Sequence, residues 1–251
     1  FLSFGLCASS VYLLNDLLDL SADRRHPRKR HRPFAAGSLP ILQGVAAIPL
    51  LLLGAFGLSL LINPPWFCAA LATYYGFTLA YSLRLKRTLM LDAIVLAGLY
   101  TLRIIAGTAA VSLMPSFWLL AFSMFLFLSL ALVKRYAELL ALCERGELST
   151  ESRGYHVDDL GVLQSLGASA GYLAVLVLAL YVNSETSHAL YAQPMVIWLL
   201  CPVLLYWISP VWLITHRGQM HDDPILFALT DPPSRYAFLV CALIVLGAMP
   251  R

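Results

Sequence analysis

The amino-acid sequence predicts an all-α, polytopic helical membrane protein with eight transmembrane helices. Three observations predict it. Only 12% of the 251 residues are charged and 60% are hydrophobic, whereas a soluble domain carries about 25% charged residues. Eight apolar segments recur along the chain, several near the roughly 20 residues that cross a bilayer as a helix. Fifteen of the seventeen Lys and Arg fall in alternate connections between those segments. Strand alternation is absent, which argues against an outer-membrane barrel.

The first segment, Phe1–Leu14, spans about 21 Å as a helix, against a hydrocarbon core of about 30 Å. It is either clipped or continues through Asn15–Asp23. The chain opens at Phe1 inside an apolar run and without a Met, so a missing N-terminal helix is expected. The next segments are Ile41–Ile62, Trp66–Leu83, Leu89–Leu113, Phe117–Val133, Leu160–Val182 and Met195–Thr215. The last, Tyr236–Met249, is again short. Asn63-Pro64-Pro65, Met114-Pro115-Ser116 and the stretch before Pro194 read as tight turns from their prolines. No internal repeat and no soluble domain are visible, so residues 1–251 read as one transmembrane domain. Cys7, Cys68, Cys201 and Cys241 lie in apolar runs and Cys143 in a polar loop. Their spacing suits packing rather than metal binding.

Orientation follows from the basic residues. Arg24, Arg25, Arg28, Lys29, Arg30 and Arg32 fall in the first connection, and Arg84, Lys86 and Arg87 in the third. Lys134, Arg135, Arg145 and Arg153 fall in the fifth, Arg217 and Arg235 in the seventh. The positive-inside rule places these connections in the cytoplasm and both chain ends, Phe1 and Arg251, outside.

The chemistry concentrates at the first connection. Asp16, Asp19 and Asp23 are spaced i, i+3, i+7, which puts them on one helix face with Asn15 beside Asp19. Carboxylates crowded there repel, and a divalent cation relieves the repulsion. Mg²⁺ takes one or two carboxylates, waters and substrate phosphate oxygens. A solvated helix end paired with nearby Arg is the bland alternative. The run then continues Lys29-Arg30-His31-Arg32-Pro33-Phe34-Ala35-Ala36-Gly37. Such basic clusters serve topology or anionic lipid, but arginine forks also grip phosphate. Lys29 and Arg32 are the expected phosphate ligands.

The third connection, Tyr81-Ser82-Leu83-Arg84-Leu85-Lys86-Arg87, offers Tyr81 and Lys86 as substrate contacts. Arg103 lies near mid-membrane, where a charge must be paired or face a polar cavity. A tie to Asp92 or to a carbonyl, and a cavity-lining role, both remain open. In the fifth connection Lys134, Arg135 and Glu138 share a helix face. They read either as a salt-bridged interfacial helix end, with Tyr136 in the aromatic belt, or as a second substrate wall opposite the aspartates. Asp222-Asp223-Pro224 and Asp231 read as loop turns.

The run Asn15-Asp16-Leu17-Leu18-Asp19-Leu20-Ser21-Ala22-Asp23-Arg24 resembles the first motif of the UbiA superfamily of intramembrane transferases, N-D-x-x-D-x-x-x-D-R, at every position. Family members carry a second aspartate motif, D-x-x-x-D, where this chain has Lys134-Arg135-Tyr136-Ala137-Glu138; Asp158-Asp159 lack its spacing. Asp23–Gly37, Arg103–Gly107 and Lys134–Leu139 are instead similar to the decaprenyl-phosphate phosphoribosyltransferase-like branch. The resemblance implies nine transmembrane helices around a central cavity, with one helix lost here. It implies Mg²⁺ held by Asn15, Asp16, Asp19 and Asp23, with the three aspartates catalytic.

The same resemblance implies phosphoribosyl pyrophosphate as donor and a polyprenyl phosphate as acceptor. Lys29, Arg32, Lys86, Lys134 and Arg135 would hold phosphates. Transfer of a prenyl group from a prenyl diphosphate is the alternative activity. A lipid-phosphate carrier is a non-enzymatic alternative, but the inverted repeats it would need are not visible. The implied setting is a bacterial inner membrane with a cytoplasm-facing site, with cell wall biosynthesis among the implied roles. A homo-oligomer is an expected assembly, and no nucleic-acid partner is expected.

Overall fold

The computed structural model describes residues 1–25, 29–146, 153–220 and 223–249. His26, Pro27 and Arg28 of the first run, and Asp222 and Arg251, lie outside the described residues. The described residues form helices and no strand. In chain order these are α1 (Leu2–Leu18), α2 (Leu20–Arg25), α3 (Ile41–Ile62), α4 (Pro65–Leu83), α5 (Leu91–Ala110) and α6 (Phe117–Cys143). There follow α7 (Leu160–Val182), α8 (Glu185–Leu190), α9 (Pro194–Ile197), α10 (Leu200–His216), α11 (Pro224–Thr230) and α12 (Pro232–Ala248).

Every apolar segment is helical. The helices at Ile41–Ile62, Leu91–Ala110, Phe117–Cys143, Val157–Val182 and Pro194–His216 are long and apolar enough to cross a membrane. The α11–α12 pair, bent by 77° at its break, is a sixth if it acts as one span. α1, with 17 residues, is shorter. Among the described residues the structure thus supports five or six spans by length and composition, and the expected count of eight is not confirmed.

Local sequence explains the boundaries. Pro65 and Pro194 open α4 and α9 in the first turn, where a missing N–H costs nothing. Asp223 and Asp231, expected in loop turns, are helix N-caps instead. Asp223 accepts from the Ile225 N–H at 2.9 Å and Asp231 from the Ser234 N–H at 2.9 Å. The Asp-Pro pair that suggests a turn is equally the start of a helix. α6 continues past Val133 to Cys143, so Lys134–Glu138 is helical, as its spacing predicts.

The chain divides into two compact units, Phe1–Leu85 with Leu102–Pro115, and Lys86–Thr101 with Ser116–Arg251. In the first, α1 packs on α3 and α4. Cys7 and Val11 are buried there with Ala55, Leu71 and Tyr74, and the Phe4 and Tyr74 rings lie 4.4 Å apart.

In the second unit α7 packs against α6 and α10. Small residues make the approach close, as is usual where lipid supplies no hydrophobic drive. A Cβ on Gly167 would fall 2.1 Å from Trp212 Cζ2, and one on Gly171 would fall 2.8 Å from Ile208 Cγ2. Ser129 Oγ donates to the Gly167 carbonyl at 2.7 Å and accepts from Trp212 Nε1 at 3.1 Å. Those bonds satisfy polar atoms that lipid cannot. Gly167→Ala is therefore expected to lower stability by about 1–3 kcal/mol, the usual scale of overpacking. Gly161→Ala in the same helix, with nothing within 4 Å of its Cβ, should not. Thermal melts in detergent, followed by circular dichroism, read both.

Candidate active site

The aspartates do not ride one uninterrupted helix. α1 ends at Leu18, and Asp19 takes the C-cap with φ −93° and ψ 5°, its N–H bonded to the Asn15 carbonyl. α2 restarts at Leu20 and carries Asp23, which is buried. Across that break Asp16 and Asp23 share one guanidinium. Arg32 Nη1 donates to Asp16 Oδ1 and to Asp23 Oδ2, each at 2.8 Å. Arg32, expected on phosphate, thus sits between two of the expected metal ligands. Asp19, Asn15 and Lys29 are half-buried beside them in sequence.

The Pro33-Phe34 step explains how Arg32 gets there. Phe34 is 2% exposed, and its ring lies where a Cβ of Gly44 would be, 2.5 Å from Cζ. Phe34 anchors the connection onto α3, and the Arg32 N–H bonds the Lys29 carbonyl at 2.9 Å. Gly37, with φ +76°, turns the chain back toward α3.

These residues fit Mg²⁺ by the chemistry of the donor set. Asp16 and Asp23 each aim one oxygen at a single cationic nitrogen. A hard cation needs such oxygens, and Mg²⁺ completes its shell with water and phosphate. Among the described residues no three His, Cys, Asp or Glu side chains converge as a full cage. Such a cage is not required when substrate supplies ligands.

Arg103, also in the first unit, resolves differently from the Asp92 alternative. Its Nη2 donates to the Tyr74 hydroxyl at 3.2 Å, and its guanidinium carbon lies 5.7 Å from the Tyr74 ring centroid. A cation over an aromatic face is one way to keep charge in an apolar setting. Tyr81 is half-buried near the end of α4.

In the second unit Asp92 belongs to Arg135. Arg135 Nε faces Asp92 Oδ2 at 2.6 Å, an ion pair without hydrogen-bond alignment. Both side chains are almost fully buried, 2% and 0% exposed. Arg135 also pairs with Glu138, which accepts from Arg153 Nη1 at 2.6 Å. The Tyr155 hydroxyl donates to Asp92 Oδ1 at 2.6 Å. Burial first, then that bond, pushes the Tyr155 phenol above the usual tyrosine range. Lys86 is 9% exposed in the turn Leu85–Arg87, and Lys134 is half-buried on α6.

Tyr136 does not sit in an aromatic belt. It is 3% exposed, its hydroxyl 2.9 Å from His216 Nδ1, and its ring meets Trp212 edge-on. Asp159 accepts from the His156 N–H at 2.8 Å and closes a capping box on the turn Val157–Asp159 that precedes α7, a structural role. Sequence reasoning missed Tyr155 and His216 as partners. They lie 63 and 80 positions from the residues they bond, and no local spacing marks such pairs.

A model of the UbiA prenyltransferase family matches residues 1–238. The chain belongs to this family. Uncharacterized protein y4nM of Sinorhizobium fredii is 38% identical over 99% of this UbiA chain, which spans 48% of that protein. Nodulation protein NoeC of Azorhizobium caulinodans is 38% identical over 97% of the chain and 78% of its own length. Decaprenyl-phosphate phosphoribosyltransferase of Mycolicibacterium smegmatis is 40% identical over 58% of the chain and 45% of its own length. The chain therefore spans about half the length of two of these relatives.

The Arg32 bridge makes a prediction for this UbiA site. Arg32→Gln leaves two facing carboxylates without their cation. Because Arg32 is 39% exposed, solvent screens part of the loss, and about 1–2 kcal/mol is expected. Adding Asp16→Asn should recover most of it, a coupling read by thermal melts of both variants.

Proposed function

We propose that this UbiA-family protein is an Mg²⁺-dependent intramembrane transferase. In this reading it moves phosphoribose from phosphoribosyl pyrophosphate to a polyprenyl phosphate. The observation that carries the reading is the convergence of Asp16 and Asp23 on one cationic nitrogen at 2.8 Å. The 40% identity to the mycobacterial phosphoribosyltransferase supports the donor.

Asp16 and Asp23, with Asp19 and Asn15 next to them in sequence, would hold Mg²⁺, which supplies neutralising charge to a diphosphate leaving group. The chain's own residues do the rest. Arg32 and Lys29 bind diphosphate oxygens, Arg32 exchanging its carboxylate partners for phosphate. Lys86 and Lys134 are proposed to meet phosphate oxygens too. The acceptor phosphate is anionic near neutral pH, so its oxygen attacks C1 of the ribose without a strong general base. The C1–O bond to the diphosphate breaks and pyrophosphate leaves. Preorganised positive charge of this kind lowers a barrier by roughly 3 kcal/mol per donor.

Prenyl transfer from a prenyl diphosphate is the second reading, and the family's description favours it. Against it stands Glu138, the carboxylate where a second aspartate motif would lie: Arg135 and Arg153 already neutralise it. The donor decides. Full-length protein in detergent is given decaprenyl phosphate, Mg²⁺ and radiolabelled phosphoribosyl pyrophosphate. EDTA-sensitive label in the extracted lipid is expected, and Asp19→Ala should lose most of it. Lipid labelled only from a prenyl diphosphate would favour the second reading.

We also place the basic connections on the cytoplasmic side of a bacterial inner membrane. Cys143 is exposed, whereas Cys7 and Cys201 are buried. A membrane-impermeant maleimide should label Cys143 in inverted vesicles and not in intact spheroplasts.

A further inference from the structure

The turn that carries Lys86 is followed closely by Met90, whose backbone is left-handed at φ 63°. Non-glycine residues rarely adopt that conformation unless the surroundings impose it. The surroundings here are explicit. The Met90 N–H donates to the Tyr155 hydroxyl oxygen at 3.2 Å, and that hydroxyl donates to Asp92 Oδ1 at 2.6 Å. Asp92 Oδ2 faces Arg135 Nε at 2.6 Å. Arg135 pairs with Glu138, and Glu138 accepts from Arg153 at 2.6 Å. Arg153 is two residues before Tyr155, so the contacts close into a ring. Asp92, Arg135 and Tyr155 are each 2% exposed or less.

Within that ring two carboxylates match two guanidiniums. Each guanidinium of the ring already faces a carboxylate, and the work of the ring is geometric. Only Thr88 and Leu89 separate Arg87 from Met90, which leaves little slack between the ring and the Lys86 turn. We infer that Tyr155 is a positioning residue: with Asp92 and Arg135 it holds Met90 in its left-handed conformation and thereby fixes the Lys86 turn for phosphate binding. The inference rests on the reading of Lys86 as a phosphate contact, not on which donor is used. It moves Arg135 from an expected phosphate ligand to a support.

The test is pyrophosphate binding with Mg²⁺, measured by calorimetry on the full-length protein in detergent. Tyr155→Phe keeps the ring packing and loses both hydroxyl bonds. It should weaken pyrophosphate binding about tenfold, the scale of one charge-assisted contact. Lys86→Ala should weaken binding at least as much, and the double variant should be no weaker than Lys86→Ala alone. Met90→Gly, free to adopt φ above zero, should restore part of the affinity of Tyr155→Phe. Should Tyr155→Phe reduce the yield of folded protein, Met90→Val leaves the ring untouched, opposes the left-handed backbone and should weaken binding similarly. Unchanged affinity in folded Tyr155→Phe or Met90→Val overturns the inference, as do losses that add to that of Lys86→Ala. Pyrophosphate binding that ignores Lys86→Ala also overturns it. Lys86-dependent binding without transfer from phosphoribosyl pyrophosphate would sink the donor assignment and leave the role of Tyr155 standing.

Discussion

The arrangement depends on keeping carboxylates charged beside an apolar medium. A buried carboxylate without a partner costs several kcal/mol, and a partner removed from a formed pair costs nearly as much. Asp16 and Asp23 share Arg32. Asp92 is held by Arg135 and Tyr155, and Glu138 by Arg135 and Arg153. These pairings fix where the chain bends. The interruption at Asp19 brings Asp23 and Asp16 to one guanidinium. The anchoring of Phe34 on Gly44 delivers that guanidinium from the far end of the connection.

The two sets of pairs differ in a way that bears on function. Around Arg32, two carboxylates face one cation that is 39% exposed. Solvent can reach such a site. In the proposed function, this is where an arginine exchanges for a metal ion and a diphosphate. Around Arg135, the pair with Asp92 is closed off, the two side chains 2% and 0% exposed. That site suits rigidity.

Much of this was legible in the sequence where the signal is local. Every apolar segment is a helix. Lys134–Glu138 lies on α6, and its salt-bridged reading holds in part through Arg135 and Glu138. The run from Asn15 to Gly37 is the one that matches the family motif, and the family match covers it. What was not legible involved competition between partners. Arg103 was a candidate for neutralising Asp92, but tertiary packing gave Asp92 to Arg135, which no local spacing marks, and Tyr74 took Arg103. Arg32 reads as a phosphate ligand until a fold places it between two carboxylates. Asp223 and Asp231 show a limit of turn chemistry, since Asp-Pro opens helices as readily as loops.

The central claim is that Asp16 and Asp23 form a divalent-cation site completed by diphosphate, for which Arg32 stands in when neither is bound. The most direct measurement is electron paramagnetic resonance of Mn²⁺ added to the full-length protein, with and without pyrophosphate. The account predicts weak Mn²⁺ binding alone, tight binding when pyrophosphate is present, and loss of the bound signal in the Asp16→Asn, Asp23→Asn double variant. Mn²⁺ held equally well by that double variant would contradict it.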